Sequence, residues 1–321
     1  MKIPKLTTHS LTFLIPILIF HQTDPTNAIL QVSTKITLSP INLLTYLPRF
    51  AHINDTEARQ EITHHNTMAW TCSGRSNGEL ISKMWNARLI LSERVRDAMI
   101  SVDRAHFTPS QHLAYEDSPQ SIGYSATISA PHMHASALEN LLPFLGEGKR
   151  VLDVGSGSGY LTAVMAELVF PSTSSSSSDT SSERPGDVKK KSGKVVGLEH
   201  IRALRNIGET NMMKSEKGRK WLQEKKVEFV VGDGRQGWID PDGEEGWDAI
   251  HVGAAAMEIH EALIQQLRCP GRMFIPVEDS KGLGQYIWLV DKDREGKVSE
   301  EKLYGVRYVP LTDAPRTISD L

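Results

Sequence analysis

From Arg150 onward, short apolar runs alternate with longer stretches in which apolar residues recur every three or four positions. "RVLDV" (150–154), "KVVGLE" (194–199), "VEFVVGD" (227–233) and "WDAIHVG" (247–253) read as strands. Apolar runs with little polar alternation suit a sheet covered on both faces. Between them, "YLTAVMAELV" (160–169), "IRALRNIGETNMMK" (201–214) and "IHEALIQQL" (259–267) carry helical spacing. "GRMFIPV" (271–277), "QYIWLVD" (285–291) and "LYGVRYVPL" (303–311) follow as further strands. Strand–helix alternation predicts an α/β fold, a doubly wound and mostly parallel sheet with right-handed crossovers. Ligands of such sheets bind outside the carboxyl ends of the strands.

Upstream, residues 77–101 predict two short helices. Asn77 or Ser76 can cap the first, whose apolar face holds Leu80, Ile81, Met84 and Leu89, and Ser92 can cap "ERVRDAMISV". After "DRAHFTP" (103–109) the chain reads as a loop through Pro109, Pro119 and Pro131, and helical periodicity returns at "HASALENLLPFL" (134–145). Two segments stand apart. Residues 171–193, "PSTSSSSSDTSSERPGDVKKKSG", are Ser-rich, end in a lysine run and have too few apolar side chains to form a core. They read as a disordered surface insertion, which is thermodynamically cheap because doubling a loop costs about 0.6 kcal/mol. Residues 1–67 open with the apolar run "LTFLIPILIF" behind Lys2 and Lys5, then turn polar without a sustained period. This is either a targeting leader or an extension ahead of a working start at Met68, and the second reading is preferred. The expected organisation is one domain over 68–321: a helical and substrate-loop part (68–146), then the sheet (147–321).

Charge narrows the partners. With 36 basic against 39 acidic residues, the net charge is −3, which argues against a mainly electrostatic nucleic-acid binder. Cys72 and Cys269 stand alone, outside any C-x-x-C spacing, and read as reduced thiols rather than zinc ligands.

The chemistry concentrates at the predicted strand ends. "DVGSGSG" (153–159) joins a strand to a helix, and Gly155, Gly157 and Gly159 permit a tight turn and a close ligand. Its spacing departs from the G-x-G-x-x-G of dinucleotide binders, and Asp153 just before it suits a ligand carrying positive charge. Glu199 ends the second strand, where a carboxylate can accept from both hydroxyls of a ribose, and His200 follows it. Asp233 and Gly234, in "GDGR" after the third strand, stand where an adenine amine would donate. Acids at three successive strand ends together describe a pocket for S-adenosyl-L-methionine.

The stretch "DSPQSIGYSATISAPHMHA" (117–135) mixes hydroxyls with His132 and His134. A hydrolase reading fails on its elbow, because "GSGSG" centres Gly157 rather than a serine. Nucleic-acid N-methylation is disfavoured, since no D-P-P-Y-like motif follows the fourth strand. Taken with "LDVGSGSG", "VVGDGR", "DAIHVGAAA" and "YVPLTD", the stretch resembles the protein-L-isoaspartate (D-aspartate) O-methyltransferase family, from "MAW" at Met68 to about Pro315.

That resemblance implies a Rossmann-like sheet of the S-adenosylmethionine-dependent methyltransferase type with N-terminal helices. It implies methyl transfer to the α-carboxyl of L-isoaspartyl, and D-aspartyl, residues in damaged proteins and peptides, starting repair through a succinimide. Ser129 matches the family's active-site hydroxyl. Ala126, Thr127, Ile128 and His134 share its cofactor and substrate loop, and Thr312 and Asp313 match the C-terminal cofactor lid. Thr317 stands where related chains often have Gln, which puts that contact in doubt. A carboxyl of reference pKa near 4 is already ionised at neutral pH, so the hydroxyls and histidines would hold a carboxylate rather than attack one. The expected protein is a monomer, needs neither metal nor nucleic acid, and works in the cytosol, with a cleaved leader left open. Two alternatives remain: a small-molecule O-methyltransferase, and a non-catalytic adaptor that binds S-adenosylmethionine without turnover.

Overall fold

The computed structural model describes residues 72–171, 193–241, 246–279, 282 and 284–313, all of them within one compact unit, Asn54–Leu321. The apolar run near the start, nearly all of the Ser-rich insertion and Thr317 lie outside the described residues. Among the described residues, no helix is long and apolar enough to cross a membrane.

The centre is a seven-stranded sheet in the order β5-β4-β3-β6-β7-β8-β9. Its strands are β3 (Arg150–Val154), β4 (Lys194–Glu199), β5 (Val227–Val231), β6 (Trp247–Val252), β7 (Leu267–Glu278), β8 (Gln285–Lys292) and β9 (Val298–Val306). β3 to β7 run parallel, whereas β8 lies antiparallel between β7 and β9. Strand order reverses between β3 and β6, which places the switch point of the fold there.

β3, β4 and β6 are buried along their whole length, which is why they carry no polar alternation. Helix α4 (Tyr160–Val169) is buried at every position. Fully burying a Val, Leu or Met side chain contributes about 1.5–3 kcal/mol, so α4 anchors the layer packed on β3 and β4. On the same side lie α1 (Asn77–Asn86), α2 (Glu93–Ser101) and α3 (Pro131–Leu141), joined with α4 in one apolar core. A second apolar core, built around Leu152, Ile250 and Met273, fills the other face.

Ser76 caps α1 by accepting from the Glu79 N–H at 3.2 Å. Ser92 occupies the N-cap of α2, but its hydroxyl donates to Glu139 Oε2 at 2.6 Å. The other Glu139 oxygen takes the Leu91 and Ser92 N–H groups, so a carboxylate from α3 closes this helix end.

Three elements differ from the sequence expectation. The proline-rich loop contains a hairpin, β1 (Gln120–Gly123) with β2 (Ala126–Ile128). Helix α6 (Glu216–Gln223) follows α5 (Arg202–Met212) where no helix is expected, with Ser215 as its cap. The last strand begins at Val298 and ends at Val306, earlier than "LYGVRYVPL" suggests. As an exposed edge strand, β9 tolerates Ser299, Glu300 and Glu301, and charge on an edge also discourages wrong pairing. The apolar tail Val309–Leu311 leaves the sheet and pairs with Ala255 through N–H···O bonds of 2.8 and 2.7 Å. A short helix α7 (Glu261–Gln266) completes the set.

Candidate active site

At the switch point lies a cavity of about 460 Å³, walled by the ends of β3, β4, β5 and β6, by the hairpin and by the C-terminal tail. Its floor is the turn after β3. Gly155, Gly157 and Gly159 all have positive φ (74°, 50° and 82°), so the turn needs glycine. Gly159 is held most tightly, since a Cβ there would stand 3.0 Å from both the Gly208 carbonyl and the Phe229 ring. Glu199 locks the turn to β4. Its Oε2 accepts the Gly157 N–H at 3.0 Å, and its Oε1 accepts the His200 and Ile201 N–H groups at 2.9 and 3.1 Å. Glu199 Oε2, with one N–H bonded, keeps a lone pair for a hydroxyl donor.

Of the residues singled out from sequence, Ala126, Thr127, Gly155, Gly157, Glu199, His200, Gly234, Thr312 and Asp313 line this cavity. Ile128, Ser129, His134, Asp153, Gly159 and Asp233 do not line it. Asp153 is buried beneath the turn, where Oδ1 meets His251 Nδ1 at 2.8 Å and Oδ2 accepts the Thr162 hydroxyl at 2.5 Å. Asp233 is committed to Arg235, whose Nε–H and terminal N–H groups donate to it at 2.9 and 2.7 Å. That hydrogen bond lowers the Asp233 pKa below the usual carboxylate range. Arg235 also bonds Asp313, and His200 Nδ1–H donates to the Thr312 carbonyl at 3.1 Å, so two contacts tie the C-terminal tail over the cavity. The hairpin tip adds Tyr124 and Ser125 to the wall, both with positive φ.

Ile128 is buried in the core beside Ser129, which is half-buried. The Ser129 carbonyl accepts from Arg104 at 2.8 Å, and the same guanidinium meets His134 Nδ1 at 3.3 Å. Arginine can only donate, so His134 Nδ1 is the acceptor and the imidazole is neutral. Burial, with Arg104 second, holds the His134 pKa well below its ordinary value, in agreement. Sequence reasoning missed Arg104, Arg235 and the hairpin tip. "DR" before a loop and "GDGR" after a strand carry no spacing that reveals where an arginine will point.

The fold and the site define an S-adenosylmethionine-dependent methyltransferase: a doubly wound sheet, a glycine turn after its first strand, and an acid at the end of the next. Comparison with known proteins is more specific. Residues 75–316 match the family model of protein-L-isoaspartate(D-aspartate) O-methyltransferase. The chain is 43% identical to a protein-L-isoaspartate O-methyltransferase of Caenorhabditis elegans, over 76% of this chain and 96% of that one. It is 42% identical to protein-L-isoaspartate O-methyltransferase 1 of Arabidopsis thaliana, over 76% and 94%. Among solved structures, a candidate protein-L-isoaspartate O-methyltransferase of Plasmodium falciparum, crystallised with S-adenosyl-L-homocysteine, superposes with a TM-score of 0.62. It is 28% identical, covering 74% of this chain and 99% of that one. The chain belongs to the protein-L-isoaspartate (D-aspartate) O-methyltransferase family.

Proposed function

We propose that this protein transfers the methyl group of S-adenosylmethionine to the α-carboxylate of L-isoaspartyl, and D-aspartyl, residues in damaged proteins, which then repair through a succinimide. One observation supports this best: in a chain of this family, Ala126 and Thr127 line the switch-point cavity, and Ser129 follows two residues later in the same segment.

The cavity residues fit the cofactor. A Cβ-free turn admits its backbone-hugging portion, and Glu199 presents a carboxylate whose orientation three peptide N–H groups fix. Glu199 would hold the ribose hydroxyls, the 155–159 turn and His200 its flanks, and Thr312 its outer side. The cofactor supplies a methyl group on a positively charged sulfur, and an ionised carboxylate accepts it with no proton to move. This chain's residues therefore bind and orient. Holding two groups in line is worth roughly 7–11 kcal/mol of barrier, and no general base is required. Ser129 orients the acceptor carboxylate, with Ala126, Thr127 and Ile128 shaping the same loop. Asp153, Gly159, Asp233 and His134 hold the wall from behind. The working unit is residues 68–321, a cytosolic monomer that needs no metal and binds no nucleic acid.

The test is radiolabelled methyl transfer to an isoaspartyl peptide beside its aspartyl twin, with the full chain and with a chain starting at Met68. Base-labile label on the isoaspartyl peptide alone, from both chains, is expected. Label on neither peptide, with S-adenosylmethionine still bound by calorimetry, would favour the adaptor reading. Label on a catechol instead would favour the small-molecule one.

A further inference from the structure

Arg104 is fully buried, in the short turn Arg104–His106 capped by Asp103. Its guanidinium donates to the Ser129 carbonyl and to His134 Nδ1, and its face lies 5.3 Å from the centre of the Tyr160 ring. Its Nε–H has no partner, and among the described residues no carboxylate forms an ion pair with it. Asp117 is buried nearby, but one of its oxygens takes the His132 N–H and ring nitrogen, at 3.1 and 2.8 Å. The other Asp117 oxygen is buried without a hydrogen bond. Burial brings the Arg104 pKa down to about 10, which still leaves it charged at neutral pH. Asp117 acts on Arg104 through space but makes no hydrogen bond or ion pair with it, so in direct contact this desolvated cation has only a peptide carbonyl, an imidazole lone pair and a ring face.

We propose that Arg104 is the standing counter-charge for the substrate's α-carboxylate, acting as a positioning residue through the Ser129 peptide and selecting an anionic acceptor over a neutral one. The inference rests on the reading that Ser129 orients that carboxylate. Three features favour it. The Arg104–Ser129 bond fixes the backbone of the residue whose hydroxyl faces the acceptor. The amino end of α3, whose cap is Ala130, adds positive potential on the same side. The neighbouring imidazole is neutral and so adds no second charge.

The sign of the kinetic effect follows from the chemistry. The acceptor is an anion before transfer and a neutral ester after it. A fixed cation therefore stabilises the bound reactant at least as much as the transition state. Its removal should raise KM and leave kcat nearly intact, which is the signature of lost ground-state binding.

The experiment measures, by calorimetry on the full chain with S-adenosylhomocysteine present, the affinity for an isoaspartyl peptide and for its α-carboxamide twin. A buried unit charge a few ångströms from the acceptor is worth more than about 1.4 kcal/mol, so the wild type should prefer the carboxylate by about tenfold or more. In Arg104→Met the two peptides should bind within about twofold of each other, with KM for the isoaspartyl peptide up about tenfold and kcat within about threefold. Arg104→Lys should restore most of the preference, because it keeps the charge. Equal weakening of both peptides in Arg104→Met would mean a purely structural role and overturn the proposal. So would a wild-type preference below about twofold, a result that needs no variant to fold. Failure of the Ser129 reading has a different signature: Ser129→Ala would keep full turnover while Arg104→Met still abolished the carboxylate preference.

Discussion

Among the described residues two arginines are buried, at different places, and they are satisfied in opposite ways. Arg150 opens β3 at the amino end of the sheet. Its side chain bonds Asp240 and lies over the Trp247 ring, and Asp240 is shared with Lys194 at 3.0 Å. Lys194 in turn reaches Glu228, and the Arg150 N–H donates to Asp248, which also takes Lys149 and Arg268. Every charge there meets its opposite within the fold. Arg104, beside the Ser129 loop, touches only neutral groups, and Asp117 reaches it only through space. A closed ionic network fixes how strands start and asks nothing of a ligand. A buried charge left open is an arrangement that folding alone does not explain, and it stands directly behind the cavity wall.

The difference can be broken at either end. The largest effect is expected at the closed one. Asp240→Asn takes the carboxylate from buried Arg150 and leaves Lys194 with Glu228, and should cost about 3–5 kcal/mol in urea unfolding, while the folded fraction keeps its preference for a carboxylate acceptor. Next comes the cavity. Glu199→Gln replaces one accepting oxygen with an NH2 that faces one or two of the three N–H donors, and should weaken S-adenosylmethionine binding about 10–100-fold by calorimetry, with a smaller loss of stability.

The third test sharpens the open end. His134 is neutral when folded because burial and Arg104 lower its pKa, whereas the unfolded chain takes a proton near the ordinary value of 6.5. Its contribution to stability is therefore complete above about pH 6.5 and is lost as pH falls below it, at up to about 1.4 kcal/mol per pH unit. Lowering pH from 7.5 to 5.5 should reduce the wild-type Tm more than that of His134→Gln. The smallest effect is expected at the tail. Asp313→Asn removes an exposed partner of Arg235 and should change stability by less than about 1 kcal/mol, with cofactor affinity altered only a few-fold.

The sheet was legible because its strands are buried on both faces, so "RVLDV" and "KVVGLE" read as short, mainly apolar runs without alternation. The glycine turn and Glu199 were legible for a related reason: strand ends of such sheets are where ligands bind. What escaped lies where the local sequence hides the geometry. The hairpin turns at Tyr124 and Ser125, with φ of 52° and 56°, whereas Asn-Gly is the usual signal for two central residues of positive φ. β9 was displaced because an edge strand needs no apolar face, and the truly apolar "VPL" serves the cavity instead. Asp153 and Asp233 show that a carboxylate at a strand end can be spent within the protein, on His251 and Thr162 or on Arg235. Sequence gives the position of such a group but not the partner that reaches it first.

The central claim is that the Ser129 loop holds an acceptor carboxylate in the cavity. Its most direct test is the steady-state rate of methyl transfer from saturating S-adenosylmethionine to an isoaspartyl peptide by Ser129→Ala. Misplacing the acceptor by about 1 Å costs about 10² in rate, so kcat should fall by that order while S-adenosylmethionine affinity stays within a few-fold of the wild type. Wild-type turnover by Ser129→Ala would contradict the account.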